Sequence, residues 1–98
     1  MATATTISFA EFQGQVEEFW PGASEEGVFQ DCMVSQAYGP RVYYEWQHQN
    51  AGAVAYDTAK DNPWFVNNGR GLGSWAASIE AADKLECERY DSFIRSRD

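Results

Sequence analysis

Three carboxylates, Asp31, Glu45 and Asp57, are the side chains of this sequence whose types and predicted placement best suit chemistry. The alternation of polar and apolar residues around them predicts strands, with all three on one face of a sheet. A row of carboxylates across a sheet can bind a divalent cation or carry acid–base catalysis. The same row can imitate the spaced charges of a phosphate backbone, or it can be ordinary solvated side chains on a polar sheet face.

The predicted row depends on a hairpin formed by Arg41–Thr58, the segment with the clearest strand pattern. Its loop is predicted at Asn50–Gly52, because glycine readily adopts the positive φ that a three-residue hairpin loop requires. With Gln49 opposite Ala53, the two carboxylates of the hairpin lie directly opposite each other, which is unfavourable for like charges. The third carboxylate joins them if the preceding turn closes with five loop residues.

Aromatic and sulfur-containing side chains are predicted on the same sheet face as the carboxylates. Tyr43, Phe29 and Met33 alternate in phase with them. Aromatic residues and methionine are enriched where proteins contact one another. The composition of this face therefore favours an interface.

Two other patterns suggest sites but do not complete a motif. Asn67–Gly73, NNGRGLG, precedes a predicted helix and could hold a phosphate, yet it matches neither the P-loop nor the dinucleotide fingerprint. We therefore interpret it as a flexible connector.

A nucleophilic cysteine would need His48, but Cys32 and His48 are both predicted on the covered sheet face. A zinc site would have to combine these residues with Cys87 at unrelated spacings. We expect free thiols, with a disulfide between Cys32 and Cys87 as the alternative. We expect no catalytic residue, no cofactor and no metal ligand.

The charge of the sequence is acidic and unevenly distributed. Its net charge is −8, and residues 1–31 contain six acids and no Lys or Arg, whereas residues 32–98 contain nine acids and seven bases. This balance disfavours binding to nucleic acid or to an anionic membrane and favours a basic partner through electrostatic steering. Solubility alone is the alternative interpretation.

Two helices are predicted, one near each end of the chain. Ser8–Glu11 is a capping box that starts an apolar-striped helix, and Pro21 ends it. Ser74 is predicted to cap the second helix, over about Trp75–Ile94. Glu86 interrupts the apolar stripe of this helix and could lie at its edge, pair with Arg41 or His48, or follow a bend.

The strands complete a single domain over residues 1–98. Val28–Ala37 is predicted as the first strand, with Val28, Cys32 and Val34 inward, and Trp64–Val66 as a short edge strand or a buried loop segment. We predict an α+β fold in which three or four antiparallel strands carry both helices on one face, in the order α-β-β-β-α. No apolar run approaches the ~18 residues of a membrane span. The N-terminus has no basic residue and carries acidic Glu11, so we expect a cytoplasmic protein.

This order of elements resembles that of the double-stranded-RNA-binding domain. That family's second helix opens with lysines that grip phosphate, whereas the matching stretch here is Ser74–Ala77, with Arg70 as the nearby base. The resemblance is one of element order alone, so direct binding of nucleic acid is not expected.

In size, acidity and α+β build, the chain resembles the small acidic proteins that phages use against host defence, in particular anti-CRISPR proteins. The likeness is one of type and rests on no residue motif. It implies an inhibitor that docks on a basic nucleic-acid channel of a CRISPR effector, in the host cytoplasm if the protein is encoded by a phage. We expect a monomer or a weak dimer. The predicted partner-binding residues are Glu17, Glu18, Glu25, Glu26, Asp31, Tyr43, Glu45 and Asp57.

Three other functions remain open at the level of sequence. An immunity protein or antitoxin that neutralises a basic nuclease toxin would use the same electrostatics. A small metal-binding or enzymatic domain would use the carboxylates Asp31, Glu45 and Asp57. A structural or assembly protein would self-associate.

Overall fold

The computed structural model describes residues 6–32, 41–50, 52–69 and 73–96. Within these ranges the chain forms helices near both ends and an antiparallel sheet between them. The elements are α1 Phe9–Phe19, α2 Ala23–Glu26, β1 Gly27–Cys32, β2 Tyr43–His48, β3 Ala53–Asp57, β4 Trp64–Asn67, β5 Ser74–Ala76 and α3 Ile79–Ser96.

The five strands form one meander in the order β1-β2-β3-β4-β5, with every neighbouring pair antiparallel. The α+β class and the terminal helices are confirmed, but the prediction of three or four strands was too low. Trp64 and Val66 lie in an internal strand, because Ser74–Ala76 pairs beside them as β5. Helix α3 therefore begins at Ile79, where Ser78 Oγ accepts a hydrogen bond from the Ala81 N–H at 3.1 Å.

Both terminal helices contribute to one buried cluster on the same face of the sheet. Phe12 of α1 stacks on Trp64 of β4, with ring centroids 5.8 Å apart. Ile79 and Ala82 of α3 are buried in the same cluster. The start of α1 agrees with the predicted capping box, since Ser8 Oγ accepts from the Glu11 N–H at 3.1 Å.

The hairpin forms where the sequence predicts it, but its register is shifted by two residues. The His48 N–H donates to the Gly52 carbonyl at 3.1 Å, so the loop lies between these two residues, and Gly52 has a φ of 86°. Gln47, rather than Gln49, lies opposite Ala53. A two-residue shift keeps every side chain on its predicted face but changes all of its cross-strand partners.

Strand β1 has the opposite facing from the one predicted. Phe29 faces the core, whereas Val28 is 62% exposed and Cys32 lies on the other face. Gly27 explains this arrangement, because it lies against the indole of Trp46 and leaves no room there for a side chain. The Trp46 Nε1–H donates to the Ala23 carbonyl at 2.8 Å, which holds the indole in that place. The sequence was ambiguous here because both faces of β1 carry apolar residues.

Some predictions concern residues outside the described ranges. These are the remainder of the first predicted strand, with Met33 and Val34, the turn at residues 38–40, and the centre of NNGRGLG at residues 70–72.

None of the helices in the described part of the chain is both long enough and apolar enough to cross a membrane.

Candidate functional site

An acidic surface is built by α1, α2 and β1, the elements formed by the part of the chain that lacks lysine and arginine. The apolar stripe of α1 packs inward through Phe12 and Val16, which leaves its glutamates on the outer side. Helix α2 follows directly and leads into β1 at the sheet edge. The acidic surface comprises Glu11, Glu17, Glu18, Glu25, Glu26 and Asp31.

Two members of the acidic surface have structural partners. Glu17 Oε1 accepts a hydrogen bond from the Ser24 N–H at 2.6 Å, in the first turn of α2. Hydrogen bonding to Ser24 is also the main reason that the pKa of Glu17 lies below its ordinary value. Glu26 Oε2 lies 3.6 Å from His48 Nε2. These two carboxylates hold the short helix and its strand in place.

The other four members, Glu11, Glu18, Glu25 and Asp31, are exposed. In residues 6–32, 41–50, 52–69 and 73–96, no lysine or arginine forms an ion pair with any of them. No base of the described ranges therefore neutralises their charge, which is available to a partner.

Three of the eight predicted partner-binding residues are not part of this surface. Tyr43, Glu45 and Asp57 lie on the opposite sheet face, away from Asp31, which points to the helix-covered face with Phe29. The predicted carboxylate row is therefore wrong, because the facing of β1 and the register of the hairpin both differ from prediction. Across the described ranges, no group of three His, Cys, Asp or Glu side chains could hold a metal ion.

Asp57 forms an ion pair with Arg41, which the sequence did not reveal. Its side chain is 3% exposed and accepts two hydrogen bonds from Arg41, at 3.0 and 2.8 Å. Burial acts to raise the pKa of Asp57, but hydrogen bonds from Arg41 and from the Ala59 N–H, with the charges of Arg41 and Lys60, outweigh it. The pKa of Asp57 consequently lies below its ordinary value, and this carboxylate is committed to the fold.

Glu45 is only partly exposed and lies beside a thiol. Cys32 Sγ is 3.6 Å from Glu45 Oε1. Burial is the main cause that raises the pKa of the Cys32 thiol, and the negative charge of Glu45 raises this pKa further. A thiol kept protonated is a poor nucleophile, and His48 lies on the other face. Cys32 and Cys87 form no disulfide, as expected.

Glu86 was unusual in the sequence because it lies in the apolar stripe of α3, and the structure shows which group it contacts. It is 3% exposed, and its Oε1 accepts a hydrogen bond from the Gly73 N–H at 3.2 Å. The alternatives that paired it with Arg41 or His48 were wrong, since those residues bond to Asp57 and Glu26. Glu86 therefore joins α3 to the start of β5.

Comparisons with known proteins identify no relative of this chain. No family model matches the sequence, and neither a curated protein nor a solved structure is significantly similar to it.

Proposed function

We propose that this protein is a non-enzymatic inhibitor that binds a basic, nucleic-acid-handling protein, in the manner of an anti-CRISPR protein. The observation that supports this proposal is a set of four exposed acids, in a region without lysine or arginine, that form no ion pair with any described residue. Such a surface attracts a positively charged groove and competes there with the phosphates of DNA or RNA. Inhibition then follows from steric and electrostatic exclusion of the nucleic acid.

The distribution of charge supports a directed mode of docking. The remainder of the chain contains nine acids and seven bases, so its negative electrostatic field is weaker than that of the acidic surface. A basic partner is therefore steered to the side formed by α1, α2 and β1. Screening by salt weakens such steering, since the Debye length is only ~8 Å at physiological ionic strength.

The first experiment is a pull-down of the tagged protein from cells that carry CRISPR effectors, eluted with a salt gradient. The proposal predicts capture of a basic, nucleic-acid-handling complex that moderate salt releases. Capture of a nuclease toxin would instead identify an immunity protein, because the same surface suits that partner. If no basic protein is retained even at low salt, the proposal is wrong.

The second experiment reverses charge at two acids that form no ion pair within the described part of the chain. Glu18→Lys with Glu25→Lys changes the net charge from −8 to −4, because each reversal adds two charges. Association with the captured partner should slow by about tenfold at low salt and depend less on salt. The matched control reverses Glu80 and Glu88, which are exposed on α3 and give the same net charge. Equal effects of the two variants would show that net charge, rather than this surface, governs binding.

A further inference from the structure

The outer edge of β1 presents backbone groups that no described residue bonds. The Gln49 N–H donates to the Glu26 carbonyl at 2.9 Å, which makes this a hydrogen-bonded pair. Because such pairs alternate along an antiparallel ladder, Val28, Gln30 and Cys32 also bond to β2. The residues between them therefore point their free backbone groups away from the sheet: the N–H and C=O of Phe29 and Asp31, and the C=O of Gly27, whose N–H donates to the Ala23 carbonyl.

This edge lacks several of the features that usually prevent another strand from adding to a sheet, and its one charged side chain is the acid Asp31. Those features are Lys or Pro on the edge, a bulge, or a very short strand. Strand β1 has six residues, GVFQDC, which include neither Lys nor Pro, and its pairing with β2 is continuous. The opposite edge, β5, has only three residues. Strand β1 is thus the better template for an added strand.

The two sides of β1 differ in chemistry. On the helix-covered face, exposed Asp31 lies in the strand itself, and Glu25 precedes it in α2. On the opposite face, Val28 is 62% exposed. An added strand alternates its side chains between these two faces. The complementary segment has Lys or Arg at alternate positions towards the acids, and apolar residues towards Val28.

We propose that β1 binds an extended basic segment of the partner protein by strand addition. This inference rests on the proposed function and specifies how the partner is held. Backbone hydrogen bonds to the Gly27 carbonyl and to Phe29 and Asp31 fix the segment, and the acidic surface selects its charge. A second copy of this chain is a poorer occupant of the edge, because pairing two β1 strands brings together two acidic surfaces of molecules with net charge −8.

The test uses the full chain and an eight-residue peptide of alternating valine and lysine with blocked ends. Amide hydrogen exchange is followed by NMR. In the free protein the Phe29 and Asp31 amides exchange rapidly, while those of Val28 and Gln30 are protected by β2. With saturating peptide, exchange at Phe29 and Asp31 should slow at least tenfold. A peptide of alternating valine and glutamate should bind at least tenfold more weakly.

Two variants separate the backbone contribution from that of charge. Asp31→Pro removes an outward N–H without removing a bond to β2, because proline is tolerated at such edge positions. Asp31→Asn removes the same charge and keeps the N–H. Asp31→Pro should bind the valine–lysine peptide about tenfold more weakly than Asp31→Asn, since it loses a backbone hydrogen bond and blocks the edge. Equal affinities of two folded variants would overturn strand addition.

The remaining outcomes distinguish this inference from the function on which it rests. Peptide binding that leaves Phe29 and Asp31 unprotected would overturn strand addition while leaving an acidic docking surface intact. Protection in the free protein that increases with protein concentration would identify a second copy as the occupant and overturn the inference. Absence of peptide binding would also overturn it, whereas the proposed function fails only if the pull-down retains no basic partner.

Discussion

The close packing of Gly27 against Trp46 allows a quantitative prediction of how a substitution in β1, the strand with the candidate edge, changes the stability of the protein. A Cβ at position 27 would overlap the carbonyl oxygen of Gln47 and lie 2.8 Å from Trp46 Nε1. Gly27 has a φ of −159°, which any residue adopts, so the penalty of Gly27→Ala is steric and not conformational.

The expected cost follows from the atoms that must move. Inserting a methyl group into a packed site costs about 1–3 kcal/mol. Here one obstacle is a backbone oxygen of the β1–β2 ladder, so a ladder hydrogen bond worth ~1 kcal/mol is also disturbed. Gly27→Ala should therefore destabilise the protein by about 2–4 kcal/mol. For a domain of this size that corresponds to a Tm lower by about 10–25 °C.

Gly14→Ala is the matched control, because it adds the same methyl group in open space. No atom lies within 4 Å of a Cβ at position 14, which is in the interior of α1. Alanine is favoured over glycine in a helix by about 0.5–1 kcal/mol. This variant should be more stable than the wild type by that amount.

Urea unfolding followed by circular dichroism and tryptophan fluorescence measures both changes. A fall in the midpoint at constant m-value would show a change in stability rather than in the extent of unfolding. If Gly27→Ala unfolds within ~0.5 kcal/mol of the wild type, which is the usual range for surface substitutions, the close contact with Trp46 is not present in solution. The structural reason for the facing of β1 would then be wrong.

Two further predictions concern buried polar contacts. Arg41→Ala should destabilise the protein by about 1–2 kcal/mol at neutral pH, after allowance for screening of an arginine that is 39% exposed. Because the pKa of Asp57 is lowered in the folded state, this contribution is present above the ordinary aspartate pKa of 3.8 and is lost as pH falls through the folded value. Urea midpoints of the wild type and of Arg41→Ala should therefore converge in acid, and a constant difference down to pH 2 would contradict the ion pair. Trp46→Phe should cost about 2–3 kcal/mol, because it opens a cavity and leaves the Ala23 carbonyl without its 2.8 Å hydrogen bond, whereas a loss below ~0.5 kcal/mol in thermal unfolding would argue against that bond.

Local patterns in the sequence determined the class of the fold. The capping box at Ser8 needs only residues within one turn, and the alternation in β2 needs only neighbours, so both are visible without a structure. The uneven charge is also a property of the sequence alone, and the acidic surface follows from it once α1 has an inner and an outer side. The hairpin was predictable for the same reason, although its register was not.

Tertiary contacts decided the features that local patterns leave balanced. The facing of β1 depends on the indole of Trp46 seated against Gly27, a contact between residues far apart in the chain. That contact turns Asp31 away from Glu45 and removes the predicted carboxylate row. Similarly, Ser74 caps no helix, because its pairing with Val66 makes it part of β5. The ion pair of Asp57 with Arg41 is also tertiary, since a buried carboxylate is stable only with a partner that the fold supplies.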